Sequence, residues 1–229
     1  MPTTTSNYGR TAKLEQGALI QLTRDIIGIV PSIILFQYNP EEISRNFDIR
    51  LGASGDPKGD EAPNSQPYPP DETFGFTLHL DATDDLERGR PLTELFGIAD
   101  RLAVLEKLIF PSQGLLGDLV SSVSTLFGGE PLAKRPTVPI VLLVLGRLRV
   151  LPVRVTSLSI TEKFQNPAMM PTHAEVPLSF RVISPEEFRT ADKLELDVEL
   201  AKATYNLYRA QRDLLAVAHI ATVVSDLSV

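Results

Sequence analysis

Two stretches of this chain alternate apolar and polar residues at every step, a period of two that only a half-buried strand uses. In the first, Thr73 to Asp81, the residues Phe74, Phe76, Leu78 and Leu80 face one way, and Thr73, Thr77, His79 and Asp81 the other. In the second, Ala174 to Val182, the inward set is Ala174, Val176, Leu178, Phe180 and Val182. A helix would scatter either set around its circumference, so the chain must fold around a sheet with one wet face. Pro177 lies inside the second stretch. Proline has no ladder donor, so it predicts an edge position or a bulge there.

Further strand signals surround these two. Gly17 to Thr23 is largely apolar, and Ser32 to Tyr38 carries Ile33, Ile34, Leu35 and Phe36 before Asn39-Pro40 stops it. Ile43 to Leu51 alternates, with Phe47, Ile49 and Leu51 expected inward. Ile140 to Leu145 is continuously apolar, as in a strand covered on both faces. Leu148 to Ile160 changes register at Thr156-Ser157, which predicts a bulge.

Helical signals are fewer. Pro91 is expected to open one helix over 92–109, with Leu92, Leu95, Ala99, Leu102 and Ile109 as its stripe. A second amphipathic run in 112–135 reads as an insertion. Its polar face is mostly serine, whereas membrane-surface helices carry Lys or Arg there. Segment 52–70 has three glycines and five prolines, which rules out a helix or a ladder and leaves a surface loop or an arm for a neighbouring subunit. Ser184-Pro185-Glu186-Glu187 has the form of a capping box. Beyond it Leu196, Leu200, Ala203, Leu207, Ala210, Leu214, Val217, Ala221 and Val224 recur at steps of four and three, a heptad seam. Leu194 to Leu200 also fits a strand, so the start of this helix is open. The reading is a mainly β, α+β domain over 1–184, with a helical extension over 185–229.

Composition narrows the function. There is no cysteine, which excludes disulfides and thiolate metal sites, and the net charge of −7 suits a phosphate backbone poorly. No apolar run is long enough to cross a bilayer, and the Thr-rich start does not resemble a signal peptide, so a soluble cytoplasmic protein is expected, with no direct membrane binding and no nucleic acid. The histidines, His79, His173 and His219, fall on different elements, and no two are spaced as metal ligands on one of them. His79 and Asp81 share a strand face and, with His173, are the residues a small hydrolase would use; outward polar positions on any strand look the same. No phosphate loop or nucleophile elbow is present. The expectation is no enzyme, no cofactor and no metal.

Five segments, in order, resemble a known family. They are Phe36-Gln37-Tyr38-Asn39-Pro40-Glu41, Glu72-Thr73 through Asp81-Ala82-Thr83-Asp84, Leu102 to Pro111, Val150-Leu151-Pro152-Val153-Arg154-Val155-Thr156-Ser157, and Pro171 to Val182. Together they resemble the tube-like baseplate proteins of contractile injection systems. The chain departs from the family at Leu145-Gly146, where Trp-Gly is common, and at His173, where arginine is common. No LysM-like module is evident. The resemblance implies a phage tail-tube-like β-sandwich or partial barrel with one packed helix, assembled as a hexameric ring. Its partners would be inner-tube proteins, the spike or hub protein and other baseplate subunits of a phage-tail-like particle. The role implied is structural, joining tube to spike; a tube-initiating or inner-tube subunit is the alternative. Phe36, Asn39, Pro40, Leu207, Leu214 and Val217 are the residues expected at partner interfaces.

Overall fold

The two alternating stretches are adjacent interior strands of one antiparallel sheet. The computed structural model describes residues 15–25, 28–49, 69–110, 123, 140–188 and 196–227. Its strands are β1 (Ala18–Asp25), β2 (Gly28–Leu35), β3 (Ser44–Asp48), β4 (Asp71–Asp81), β5 (Ile140–Val144), β6 (Val150–Leu158), β7 (Thr161–Gln165) and β8 (Pro171–Val182). Hydrogen bonding follows the path β2-β1-β5-β6-β8-β4-β3, with β7 also on β8. All eight strands described thus belong to one sheet, and no described pair closes β2 onto β3. The mainly β, α+β class expected from the sequence holds.

Register explains the core. Phe74 lies opposite Phe180, Phe76 opposite Leu178, Leu78 opposite Val176 and Leu80 opposite Ala174, so both apolar sets share a face. That face is buried, and the Phe76 ring stacks on Phe180 at 5.1 Å and tilts against Phe36 at 5.5 Å. In β5, Val141, Leu142 and Leu143 are all buried, as the unbroken apolar run predicts.

Pro177 is not on an edge. It sits in the middle of β8, opposite Thr77 of β4. Its carbonyl accepts from Ser159 N–H at 3.1 Å, so its missing donor also faces the junction between β6 and β7. There β6 has already slipped register between Val155 and Ser157, and β7 has yet to begin. The bulge expected at Thr156-Ser157 is present, and two residues beyond it the neighbouring strand breaks where the proline donor is absent.

The helix expected over 92–109 is two. After α1 (Thr83–Glu87), α2 (Pro91–Phe96) ends at Gly97 and α3 (Ala99–Glu106) begins anew. Gly97 has φ +58°, and a Cβ there would lie 1.9 Å from the Pro171 carbonyl oxygen. The backbone crosses the start of β8 too closely for any side chain, and Ile98 N–H bonds that same carbonyl at 2.9 Å. The break also changes the stripe. Ile98, Leu102, Leu105 and Leu108 join the core, whereas Leu92, Leu95 and Ile109 are exposed.

Strand β3 also departs from expectation: Phe47 and Ile49 are exposed, and Leu51 lies outside the described residues. So do segment 52–70, apart from Pro69 and Pro70, and the 112–135 insertion, apart from Val123. Pro185–Phe188 forms a 3-10 turn in which Glu187 reaches back to Ser184 N–H at 3.2 Å, the returning half of the capping box. The long helix α4 (Leu196–Leu227) then packs on β6 and β5. At 32 residues it is about 48 Å long. No helix among the described residues is long and apolar enough to cross a membrane.

Candidate functional site

The motif around Asn39 is a structural clamp. Phe36 is in the core, so it is not available to a partner. Gln37 acts as a one-residue strand: its side-chain N–H donates to the Asp81 carbonyl and its Oε1 accepts from Asp81 N–H, both at 3.0 Å. Asn39 does the same for the start of β1, donating to the Glu15 carbonyl at 2.8 Å and accepting from Gly17 N–H at 2.9 Å. It thus bonds upstream backbone rather than its own downstream turn. Arg101 of α3 completes the corner. It donates to Gln37 Oε1 and the Asp81 carbonyl, each at 2.9 Å, and pairs with the buried Asp85. Segments 36–41 and 72–84 are therefore bonded to each other through Gln37 and Asp81, and the side chains of Gln37 and Asn39 hold backbone.

The wet face of the sheet gathers the candidate chemistry. His79 lies opposite Glu175, and Asp81 opposite His173, on β4 and β8. His173 Nδ1 is 3.5 Å from Asp81 Oδ2, and His79 Nδ1 is 4.0 Å from Glu175 Oε1. Lys163 of β7 reaches Glu175 at 2.5 Å, and its hydrogen bond holds that carboxyl below the usual range. Asp81 is likewise lowered, chiefly by the Thr83 hydroxyl and N–H, with burial opposing and His173 adding less. His79, Asp81 and His173 are thus brought onto one patch, with Glu175 as a fourth member that sequence reasoning missed. His219 lies apart, on the exposed end of α4.

Helix α4 carries two stripes. The inward one is Val198, Ala201, Tyr205, Tyr208 and Arg212, again at steps of three and four. Tyr208 joins the main core, and its hydroxyl donates to the buried Glu72 at 2.9 Å. Glu72 also takes Arg45 at 2.5 Å and Arg212 at 3.5 Å. Arg45 stacks over Phe47, Phe74 and Tyr208, which compensates its one buried nitrogen without a hydrogen-bond partner. Burial, and then the Glu72 charge, push the Tyr208 hydroxyl pKa up. The other stripe is the seam read from the sequence, and its outer positions are uncovered: Leu207 and Leu214 are each 69% exposed and Val217 63%. The helix docks through a face that the seam does not include.

A second apolar surface lies at the far end of β8. The β7–β8 hairpin is tied to α2 by Asn166, whose side chain donates to the Glu94 carbonyl at 3.1 Å and caps the turn at Ala168 and Met170. Phe164 and Met169, both at positive φ, are exposed there beside α2, which leaves Leu92, Leu95 and Phe96 uncovered. No protein-family model matches the chain, and no curated protein matches it either.

Proposed function

We propose that this chain is a structural, non-enzymatic subunit of a contractile injection system, forming a ring that joins the inner tube to the spike hub in the baseplate. The observation that carries this reading is the pair of unlike apolar surfaces at opposite ends of β8. One comprises the exposed Leu92, Leu95 and Phe96 of α2 and the exposed Phe164 and Met169 of the β7–β8 hairpin that Asn166 ties to it; the other is the long stripe of α4, whose Tyr208 bonds Glu72 at the other end of the sheet. Eleven strand steps separate Pro171 from Val182, about 36 Å. A protein working alone rarely leaves two such surfaces uncovered.

Their difference separates a junction from a tube. A subunit that stacks on copies of itself needs two faces that fit each other. A hairpin tip and a projecting helix do not, so two unlike partners are implied. The edge strands β2 and β3 add a lateral requirement. Their outer edges are unpaired among the described residues, and a closed ring would cover them. The ordered resemblance of the five segments supports the particle type. The seam of α4 is exposed on its own subunit, which favours contact with another subunit of the particle.

The test is to image native particles carrying a tag on this chain. Six copies in a single layer between tube and spike are expected. One copy per particle, repeated layers along the tube, or a monomer absent from particles would overturn the reading.

A further inference from the structure

The wet face of β4, β7 and β8 holds a group of side chains whose chemistry is that of a metal site. His79, His173 and Glu175 each offer one ligand atom, and these atoms lie within 4.8 Å of one another. A tetrahedral zinc ion with ligand bonds near 2.0–2.2 Å needs its ligand atoms about 3.4 Å apart. All three side chains are partly exposed, so rotamer adjustments of roughly an ångström bring them into range without moving the sheet. We propose that His79, His173 and Glu175 bind a divalent transition-metal ion, Zn2+ foremost, across the adjacent strands β4 and β8.

Three further observations converge on the same point. First, two imidazoles and a carboxylate are the donor set of zinc rather than of calcium or magnesium, which take oxygen ligands. Second, Asp81 stands 3.5 Å from His173 Nδ1, where it can hold one ring nitrogen while the other faces the ion. A carboxylate behind a ligating imidazole is the usual second partner of such sites, fixing the tautomer and the ring direction. Asp81 is itself fixed by Thr83 at 2.6 Å, and the His173 ring is braced edge-on by Phe164 at 6.2 Å. Third, a cation already sits on the carboxylate: Lys163 Nζ is 2.5 Å from Glu175 Oε1. The ammonium occupies one oxygen of the carboxylate that a metal ion would need, and its side chain is exposed enough to swing away.

The sequence hides this site because its ligands are on two strands. Histidines 79 and 173 are 94 positions apart, and only the β4–β8 register sets Asp81 opposite His173 and His79 opposite Glu175. Three protein ligands leave the fourth position to water. An ion there would fasten β8 to β4 near the hairpin that carries Phe164 and Met169. The proposal does not depend on the particle reading.

Equilibrium dialysis of the full chain against Zn2+, with bound metal measured directly, tests it, and Co2+ absorption reports tetrahedral geometry. One equivalent should bind the wild type and be lost in H79A/H173A, whose outward-facing substitutions should leave the circular dichroism unchanged. Asp81→Asn should weaken binding about 10- to 100-fold through the orientation of His173. Lys163→Met should tighten it several-fold, because the competing ammonium is gone. Chance binding by surface histidines would not produce this last gain. Absence of a one-equivalent site, its persistence in H79A/H173A, or failure of Lys163→Met to tighten it would overturn the proposal.

Discussion

From Val198 to Arg212, α4 lies on the sheet, with Ala201 and Tyr208 buried and Arg212 drawn to Glu72; from Asp213 to Ser225 every residue is exposed. The exposed half is the more apolar of the two. It includes Leu214, Leu215, Val217, Ile220, Val223 and Val224, whereas the packed half docks through an alanine, a valine, two tyrosines and an arginine. Apolar content therefore does not decide which half of this helix packs on its own domain. Packing follows the buried carboxylate Glu72, whose neighbours are placed for one docking geometry, and the small side chain of Ala201, which lets the helix approach β6. The outer half has no described strand beneath it. An isolated helix of this kind is marginal in water, so its order should depend on another surface.

The sharpest test of this comparison is a charge placed in each half. Ala201 is fully buried. Ala201→Asp puts an unpaired carboxylate against β6 and should cost several kcal/mol, enough to unfold a marginal domain. Chemical denaturation of the isolated subunit would reveal it. A variant as stable as the wild type would mean that α4 does not dock as described.

A smaller effect is expected at the polar node. Tyr208→Phe keeps the ring in the core and removes only the hydroxyl that bonds Glu72. A hydrogen bond to a charged group contributes about 1.5–3 kcal/mol, so the loss should fall in that range. A loss below about 0.5 kcal/mol would show that Arg45 and Arg212 satisfy Glu72 alone.

Both successes and failures of sequence reading trace to the same cause. Period-two alternation located β4 and β8 because one face of each is buried along its whole length. It misread β3, where Phe47 shares its face with Phe74 yet lies near the edge of the sheet, against Arg45 and Arg212 rather than in the core. The break at Gly97 was not legible, since it comes from the approach of Pro171, 74 positions away. The α4 seam was real as a pattern, but a helix with two heptad stripes does not announce which one its own domain covers. For the candidate site, His79, Asp81 and His173 were visible as residue types. Their grouping with Glu175 needed the β4–β8 register.

The 3-10 turn after β8 should respond to acid. Burial raises the Glu187 carboxyl pKa, but hydrogen bonds from Arg181 and from Ser184 N–H outweigh it and hold the group below its ordinary value of 4.5. A lowered folded-state pKa means that the unfolded chain takes up the proton more readily. The resulting stabilisation is present above the unfolded pKa and is lost as pH falls through the folded one. Below pH 4.5, wild type should therefore lose stability more steeply than Glu187→Gln. Parallel pH profiles for the two would show that the Arg181 pair does not hold the 3-10 turn at Pro185–Phe188.

The smallest effect on the isolated subunit is expected from the outer stripe, and there the consequence for assembly should be greatest. Leu207→Asp with Leu214→Asp places two charges on positions that are each 69% exposed. Surface substitutions of this kind usually change stability by no more than about 0.5 kcal/mol. If anything, removing exposed leucines should raise solubility. The seam nevertheless presents a leucine or valine at five of its eight positions from Leu200 to Val224, with alanines at the other three that permit close helix approach. At about 25 cal/mol per Å2, covering those side chains would supply most of the gain on docking, and two buried carboxylates would abolish it. The double variant should fold like the wild type and fail to enter particles. Normal entry would mean that the seam stays uncovered in the particle. Loss of folding in the isolated subunit would instead mean that the seam packs on its own domain.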